Sequence, residues 1–496
     1  MGRKSNYEAG LYSELEKLNK KLDKANATIS TMSLTIYNLN LDIRNLKEDS
    51  KKDKELIQKL IEENERLKNK NNKNSLNSSK PSSTNITTPK KKTGANLYNY
   101  RIKTNKKVGG QYGHEGHHLS KKYVEDLINN KKVEVKEIIH TIKGNSSKED
   151  TIKYKLGIRI KPYVEKHIFK HKEDSNEVLP KEYYTDVTYD NSIKALSIEL
   201  GAYNVISYDR LSDFFSVITN GIINISNANL VNILYEFSNK STQTINILEN
   251  DILNSKTTYT DETGTKFNGK NMYVRNYSNS QTVVYKAHKN KGHNPIKEDN
   301  ILTCFCGGIM GDHDTTLSSY GTKNYECNIH LGRYLEELIQ NISDILWPIK
   351  MKELFFRMDN TRKIAISYGL NKFDKDKVEE YINEFNNIME LAMKENKTIK
   401  SSYYKDKANK LYRRLKKYKN NHLYFIEDFS VPFDNNLSEQ DLRMFKTKTK
   451  ISGGFRSMKS AKHYVNVLSI IKTSIKRNIN PFETIKEIFD NKVLFA

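Results

Sequence analysis

Cysteine is scarce in this 496-residue chain: Cys304, Cys306 and Cys327 are all there is. An odd, small number gives no disulfide framework and fits a reducing compartment. No run of 18 apolar residues occurs, so nothing in the sequence reads as a membrane span. The first residues lack an apolar core segment, so no secretory signal is expected. Met1-Gly2 opens the chain, but Asn6 breaks the myristoylation pattern. Acidic charge is short as well. Lys and Arg number 83 against 60 Asp and Glu, a net +23 with a pI of about 9.4. That excess points to a polyanionic partner, with nucleic acid the usual one; a charge kept for solubility is the plainer alternative. Only 36% of residues are hydrophobic, so part of the length must be elongated or loosely packed.

The clearest pattern is a heptad seam. Leu11, Leu15, Leu18, Leu22, Ala25, Ile29, Met32, Ile36, Leu39, Ile43 and Leu46 alternate spacings of four and three. The register continues through Ser50, Asp53, Ile57, Leu60, Asn64 and Leu67, with polar faults. Residues 1–70 therefore read as a coiled-coil oligomerisation helix, or as one long helix folded back on its own domain. Residues 71–120 read as a flexible basic linker carrying Lys90, Lys91 and Lys92 and a Gly/His motif, Gly109-Gly110-Gln111-Tyr112-Gly113-His114. Lysines here suit phosphates, and glycines let a backbone approach nucleic acid closely. Residues 121–185 alternate weakly, at Val133 to Ile139 and Ile152 to Ile168, and suggest a small β-rich module. Residues 186–250 read as helices, with Ser226 at one helix start.

Thr257-Thr-Tyr-Thr-Asp261-Glu-Thr-Gly264 reads as the end of a buried strand that delivers Asp261 to a turn. Strand-like runs follow at Met272 to Tyr277 and Thr282 to Ala287. A fourth, Ile301 to Ile309, leads to Asp312. The two carboxylates are 51 residues apart (312 − 261). Tyr325 to Ile345 then reads as an amphipathic helix. Cys327, His330 and Arg333 lie near one face of it; packing or support of a site is favoured over zinc ligation with Cys304 and Cys306, whose Cys-x-Cys spacing is unusual for zinc. A lysine-rich helical insert fills 346–430. Beyond it, Glu439 stands either as the capping-box partner of Asn436 or as a metal ligand beside bound phosphate. Arg443, Lys446 and Lys450 share its helix face, and Arg456 follows in a basic Gly-Gly turn.

Taken in order, these motifs resemble the transposases of the insertion sequence 66 family, a branch of the DDE transposases. The resemblance rests on the leucine-rich start, Asn77-Ser-Ser-Lys-Pro-Ser-Ser83, Gly109-Gly-Gln-Tyr-Gly-His-Glu-Gly116, Asp261-Glu-Thr-Gly264, and Asp312 ahead of Tyr320. It continues through Cys327-Asn-Ile-His330 with Arg333, Asp434-Asn-Asn-Leu-Ser-Glu-Gln-Asp-Leu-Arg443 and Ser452-Gly-Gly-Phe-Arg-Ser457. It implies an α+β multidomain protein: an N-terminal coiled coil, a small DNA-binding module, and an RNase H-like mixed α/β catalytic core (251–345, completed by 431–496) interrupted by the helical insertion. It implies an acidic triad of Asp261, Asp312 and Glu439 holding two Mg²⁺ (or Mn²⁺) ions, supported by Cys327, His330, Arg333 and Asn436.

DNA contacts are expected from Lys90, Lys91, Lys92, Gly110, Gln111, Gly113, His114, Arg443, Lys446, Lys450 and Arg456. The expected partners are element-end and target DNA, a second copy of the chain, and accessory proteins of the same element, with no membrane. The expected setting is the bacterial cytoplasm, at the nucleoid. Family members carry cysteine pairs in a zinc module where 121–185 has none, so zinc is not expected. The expected reaction is cleavage at element ends followed by strand transfer. A non-catalytic DNA-bridging protein and a nuclease without strand transfer are the alternatives.

Overall fold

The computed structural model describes residues 2–73, 77, 120–140, 152–170 and 183–495. Lys90, Lys91, Lys92, Gly110, Gln111, Gly113 and His114, the expected linker contacts to DNA, lie outside them.

The seam forms one helix, α1 (Gly2–Asn72), 71 residues long. At 1.5 Å per residue it spans about 105 Å. Its apolar positions are open to solvent along their whole length: Leu15 is 55% exposed, Ile36 59% and Leu46 68%. None of the described residues covers them. A long helix with an uncovered a/d stripe fits a coiled-coil strand.

By their contacts the residues fall into two compact units. One holds 1–91, 333–351 and 386–416; the other holds 92–332, 352–385 and 417–496. In the first, the last turns of α1 are pinned by side chains: Ser402 donates to Glu62 (2.7 Å) and Asn69 to Tyr403 (3.3 Å). The Glu395 carboxylate accepts from the backbone of Leu346 and Trp347, both at 2.9 Å. It thereby caps with negative charge the start of a helix whose free N–H groups attract it. Trp347, fully buried, donates its indole N–H to Asn396 (2.9 Å).

The second unit is built on one five-stranded sheet of order β3-β2-β1-β4-β5. Helix α2 (Lys121–Asn129) precedes it, then α3 (Asn191–Ile198), α4 (Tyr208–Ile218), α5 (Asn227–Lys240) and α6 (Thr242–Leu253). Ser226 caps α5 as expected, accepting from the Asn229 N–H at 3.2 Å. The strands are β1 (Thr257–Phe267), β2 (Lys270–Ser278), β3 (Val283–His288), β4 (Gly308–Gly311) and β5 (Lys323–Glu326), with α7 (His293–Asp299) and α8 (Ile301–Cys304) between β3 and β4. β1, β2 and β3 form an antiparallel meander, and β4 and β5 run parallel to β1. Then come α9 (Asn328–Asn341), α10 (Trp347–Ser367), α11 (Lys375–Thr398), α12 (Ser402–Lys417), α13 (Lys419–Glu427), α14 (Asn436–Ser452), α15 (Met458–Lys476) and α16 (Pro481–Phe489).

The core joins the sheet to α5, α6, α15 and α16 through Phe237, Leu248, Val274, Tyr277, Tyr285, Leu468, Ile471 and Phe489. α15 also seals an edge. The Val283 and Tyr285 N–H groups on β3 donate to Thr473 Oγ1 (3.1 Å) and Ser469 Oγ (2.9 Å), which stand one helical turn apart. At the other edge α13 packs on β5.

Four expectations need correction. Asp261 is not delivered to a turn at a strand end: β1 runs on to Phe267 and pairs Asp261 with Asn276 and Gly264 with Tyr273 on β2. The apolar run Ile301 to Ile309 is not one strand: its first half is α8, and β4 begins only at Gly308. Short apolar runs do not declare their period. The amphipathic stretch from Tyr325 begins with β5, and its helix starts at Asn328. The strands expected within 121–185 are absent among the described residues, where α2 is the regular element and Ile139, Ile158 and Val164 are about nine-tenths exposed. Alternation makes a strand only when a neighbouring edge supplies hydrogen bonds and a face to bury.

Candidate functional site: a carboxylate cluster on neighbouring parallel strands

β1 and β4 place Asp261 and Asp312 side by side. Tyr259 pairs with Met310, a separation of 51 (310 − 259). The two carboxylates have the same separation, so they fall at matching levels on neighbouring parallel strands. Gly311, just before Asp312, leaves room for Leu317: a Cβ there would sit 2.4 Å from Leu317 Cδ1. Burial and the neighbouring Asp312 push the Asp261 carboxyl up to about 6, against the pull of Lys446, whose Nζ is 3.9 Å from Asp261 Oδ2. Crowded, buried carboxylates repel each other and favour the neutral form.

Glu439 enters from α14, whose first turn packs over β1 and β2. His330, in the first turn of α9, lies between the acids: Nδ1 is 3.3 Å from Asp312 Oδ1, and Nε2 is 3.7 Å from Glu439 Oε1. Burial disfavours its charge, but the interactions with Asp312 and Cys327 outweigh that and hold the imidazole up at about 11. The contact with Asp312 favours the protonated imidazole. Cys327 is buried beside it, with a thiol that burial pushes up. Arg333 lies further along α9, in the first compact unit, half-buried.

One residue ties these parts together. Asn435 Nδ2 donates to the Thr260 carbonyl and to Asp312 Oδ1, both at 2.9 Å; its N–H points at Cys327 Sγ (3.3 Å), and its carbonyl accepts from the Glu439 N–H. The sequence motif singles out Asn436, which is exposed, while its neighbour is fully buried. Asn436 is not the N-cap: α14 begins at Asn436 behind Asn435, and the Asn436 N–H donates to Asp434 Oδ1 (3.0 Å). Asn276 does similar work from β2, accepting from the Asp261 N–H (3.0 Å) and the Ser438 hydroxyl (2.8 Å). Buried Arg275 bonds Glu262 (3.1 Å) and Asp314 (3.2 Å), bracing the residues that flank both aspartates. No local signal marks either: each reads as an ordinary polar residue in a strand.

Asn435→Ala would leave a buried carbonyl and carboxylate oxygen short of a donor, at about 1–3 kcal/mol for each such group. The expected loss of stability is about 2 kcal/mol or more, measured as a fall in the thermal midpoint of the variant. Asn435→Asp is expected to cost more, because it sets a third anion against Asp312.

Arg443, Lys446, Lys450 and Arg456 are all exposed along α14 and the turn after it. That turn is anchored rather than loose: Phe455 N–H donates to the Lys266 carbonyl and Asn268 N–H to the Phe455 carbonyl, both at 2.9 Å. Cys304 and Cys306 are exposed and belong to neither of the metal-type clusters among the described residues.

Fold and site define a mixed α/β protein whose acidic groups gather where β4 ends beside the middle of β1, its parallel neighbour. The sequence pattern of the Transposase IS66 family matches residues 187–463, more than half of the chain, and the chain belongs to that family. It is a transposase in that general sense, with DNA as the material acted upon. A search of curated proteins returns no match. Among the described residues no helix is long and apolar enough to cross a membrane.

Proposed function

We propose that the protein is a DDE-type transposase that cuts DNA at the ends of its element and transfers the freed 3′-hydroxyl into target DNA. Asp261, Asp312 and Glu439 are the catalytic carboxylates, and they would hold two Mg²⁺ (or Mn²⁺) ions. The observation that carries this reading is the meeting of three distant acids: two at one level on adjacent strands and a third linked to them through His330. An RNase H-like core is supported by the strand order, with β2 alone antiparallel to β1 and the insert entering between β5 and α14.

The donor set fits hard ions. Mg²⁺ takes carboxylate and water oxygens with few protein ligands each, and the raised carboxyl of Asp261 reflects its burial and then the neighbouring charge of Asp312, which a cation would offset. Held by these carboxylates, such ions would supply an activated oxygen nucleophile and stabilise the leaving oxygen. The chain's own groups do the rest. His330, as imidazolium, holds Asp312 and faces Glu439, setting the spacing of the ligands. Asn435 fixes Asp312 and the start of α14 to the same strand. Lys446, against Asp261, is placed to meet a phosphate, and Arg443, Lys450 and Arg456 extend that cationic track along the duplex.

The test is an assay of the purified protein with element-end DNA, target DNA and Mg²⁺. Cutting with joining is the expected result. Cutting without joining would mark a nuclease, and binding without cutting would mark an architectural protein. Replacing Arg443, Lys446 and Lys450 together by Ala is expected to weaken binding and to make the log–log salt dependence shallower by about 0.9 per lost phosphate contact.

A further inference from the structure

Beside the acidic cluster stands a second group of side chains that the proposed chemistry does not use. His313 follows Asp312 at the end of β4, Glu326 ends β5, and His422 lies in α13. One ligand atom from each lies within 4.8 Å of the other two. His313 Nε2 and Glu326 Oε2 are 3.4 Å apart. Two ligands bound at about 2.0–2.1 Å in a tetrahedral shell stand about 3.3 Å from each other, so this edge already has the spacing of a coordination shell. The side chains are dry: His422 is 1% exposed and Glu326 9%.

The tautomer of His422 is set by its neighbour. Asn328 Nδ2 donates to the His422 carbonyl at 3.1 Å, so its Oδ1, 2.8 Å from His422 Nδ1, must accept. Nδ1 therefore carries the proton and Nε2 keeps its lone pair. A ring N–H given to a carbonyl is the usual orienting bond of a metal-bound histidine. His313 is held with φ +58°, in the left-handed region that a residue with a side chain rarely adopts, and such outliers cluster at functional sites. A cavity of about 10 Å³, lined by His313, Glu326, Tyr418 and Asn421 among others, has room for about one water.

We propose that His313, Glu326 and His422 bind one zinc-class divalent ion, with water as the fourth ligand, separately from the Mg²⁺ ions proposed at the acidic cluster. Two imidazoles and a carboxylate suit Zn²⁺ rather than Mg²⁺. The ion would clamp the ends of β4 and β5 to α13 and hold the turn that carries Asp312. The sequence argues against zinc in residues 121–185; this site draws nothing from them.

The test is Co²⁺ titration of the full chain in excess Mg²⁺, followed by absorption. The expected result is one equivalent of Co²⁺ with visible d–d bands, no thiolate-to-metal charge-transfer band, and displacement by Zn²⁺. His422→Ala is expected to weaken Co²⁺ binding at least 100-fold. Should that variant fail to fold, the near-isosteric Glu326→Gln is expected to show the same loss. Cys327→Ser is expected to leave the spectrum unchanged, because the neighbouring set Asp312, Cys327 and His330 contains the thiol. A thiolate band that vanishes in Cys327→Ser would move the ion to that set and overturn the proposal. So would unaltered binding in Glu326→Gln, or no d–d bands in the unsubstituted chain.

Discussion

Asp312→Ala is expected to abolish cleavage and joining while leaving DNA binding intact or tighter. Removing groups that merely orient a metal ligand costs about 10–100-fold. Losing a ligand itself is expected to cost more, on the order of 10³-fold in single-turnover cleavage, about 4 kcal/mol of barrier. Binding moves the other way, because one anion is removed from a surface facing phosphates. Asp261→Ala should behave alike, since Asp261 holds the matching level on β1. A binding isotherm and a single-turnover nicking assay on each variant separate the two quantities. Nicking at the unsubstituted rate by either variant would place the active site elsewhere and strengthen the architectural reading.

The second large effect concerns the seam of α1. Lysine at Leu22, Ile29 and Ile36 together is expected to convert a dimer to monomers at micromolar concentration. These positions are 57%, 60% and 59% exposed in the single chain. Each is worth about 1.5–3 kcal/mol when buried, and a two-stranded coil buries each twice. Three positions thus carry about 9 kcal/mol at least, more than six decades of dissociation constant. Sedimentation velocity on the unsubstituted and triple-lysine chains reads this directly. A monomeric unsubstituted chain, with or without DNA, sinks the idea. Substitution is preferable to deletion through residue 70, because Glu62 and Asn69 also bond residues 402 and 403 within their own compact unit.

How far the sequence reveals this depends on how each feature is encoded. β1 announces itself through β-branched and aromatic residues, but it runs past Asp261 to Phe267, and the matching level of Asp261 and Asp312 comes from a strand register that only the fold supplies. The heptads of α1 are equally explicit. β5 was not legible: four residues, Lys323–Glu326, run straight into a helical pattern, and only the neighbouring β4 makes them a strand. Val133 to Ile139 failed in the opposite sense, having alternation without a neighbour. Asn435 was missed by one position because helix phase decides which of two adjacent asparagines turns inward. His313, Glu326 and His422 come from three elements and have no motif spacing; only folding assembles them.

The hydroxyls of Ser469 and Thr473 carry a consequence for the protein's life before it meets DNA. A bare outer strand is a template on which another chain can grow sheet, and such growth ends in fibres. Here one rim is stapled by a helix and the other lies under α13. Among the described residues, what is left open to a second copy is therefore a helical stripe and not an outer strand. Pairing of helices through such a stripe, as expected above for α1, is reversible, whereas sheet growth from strand to strand is not.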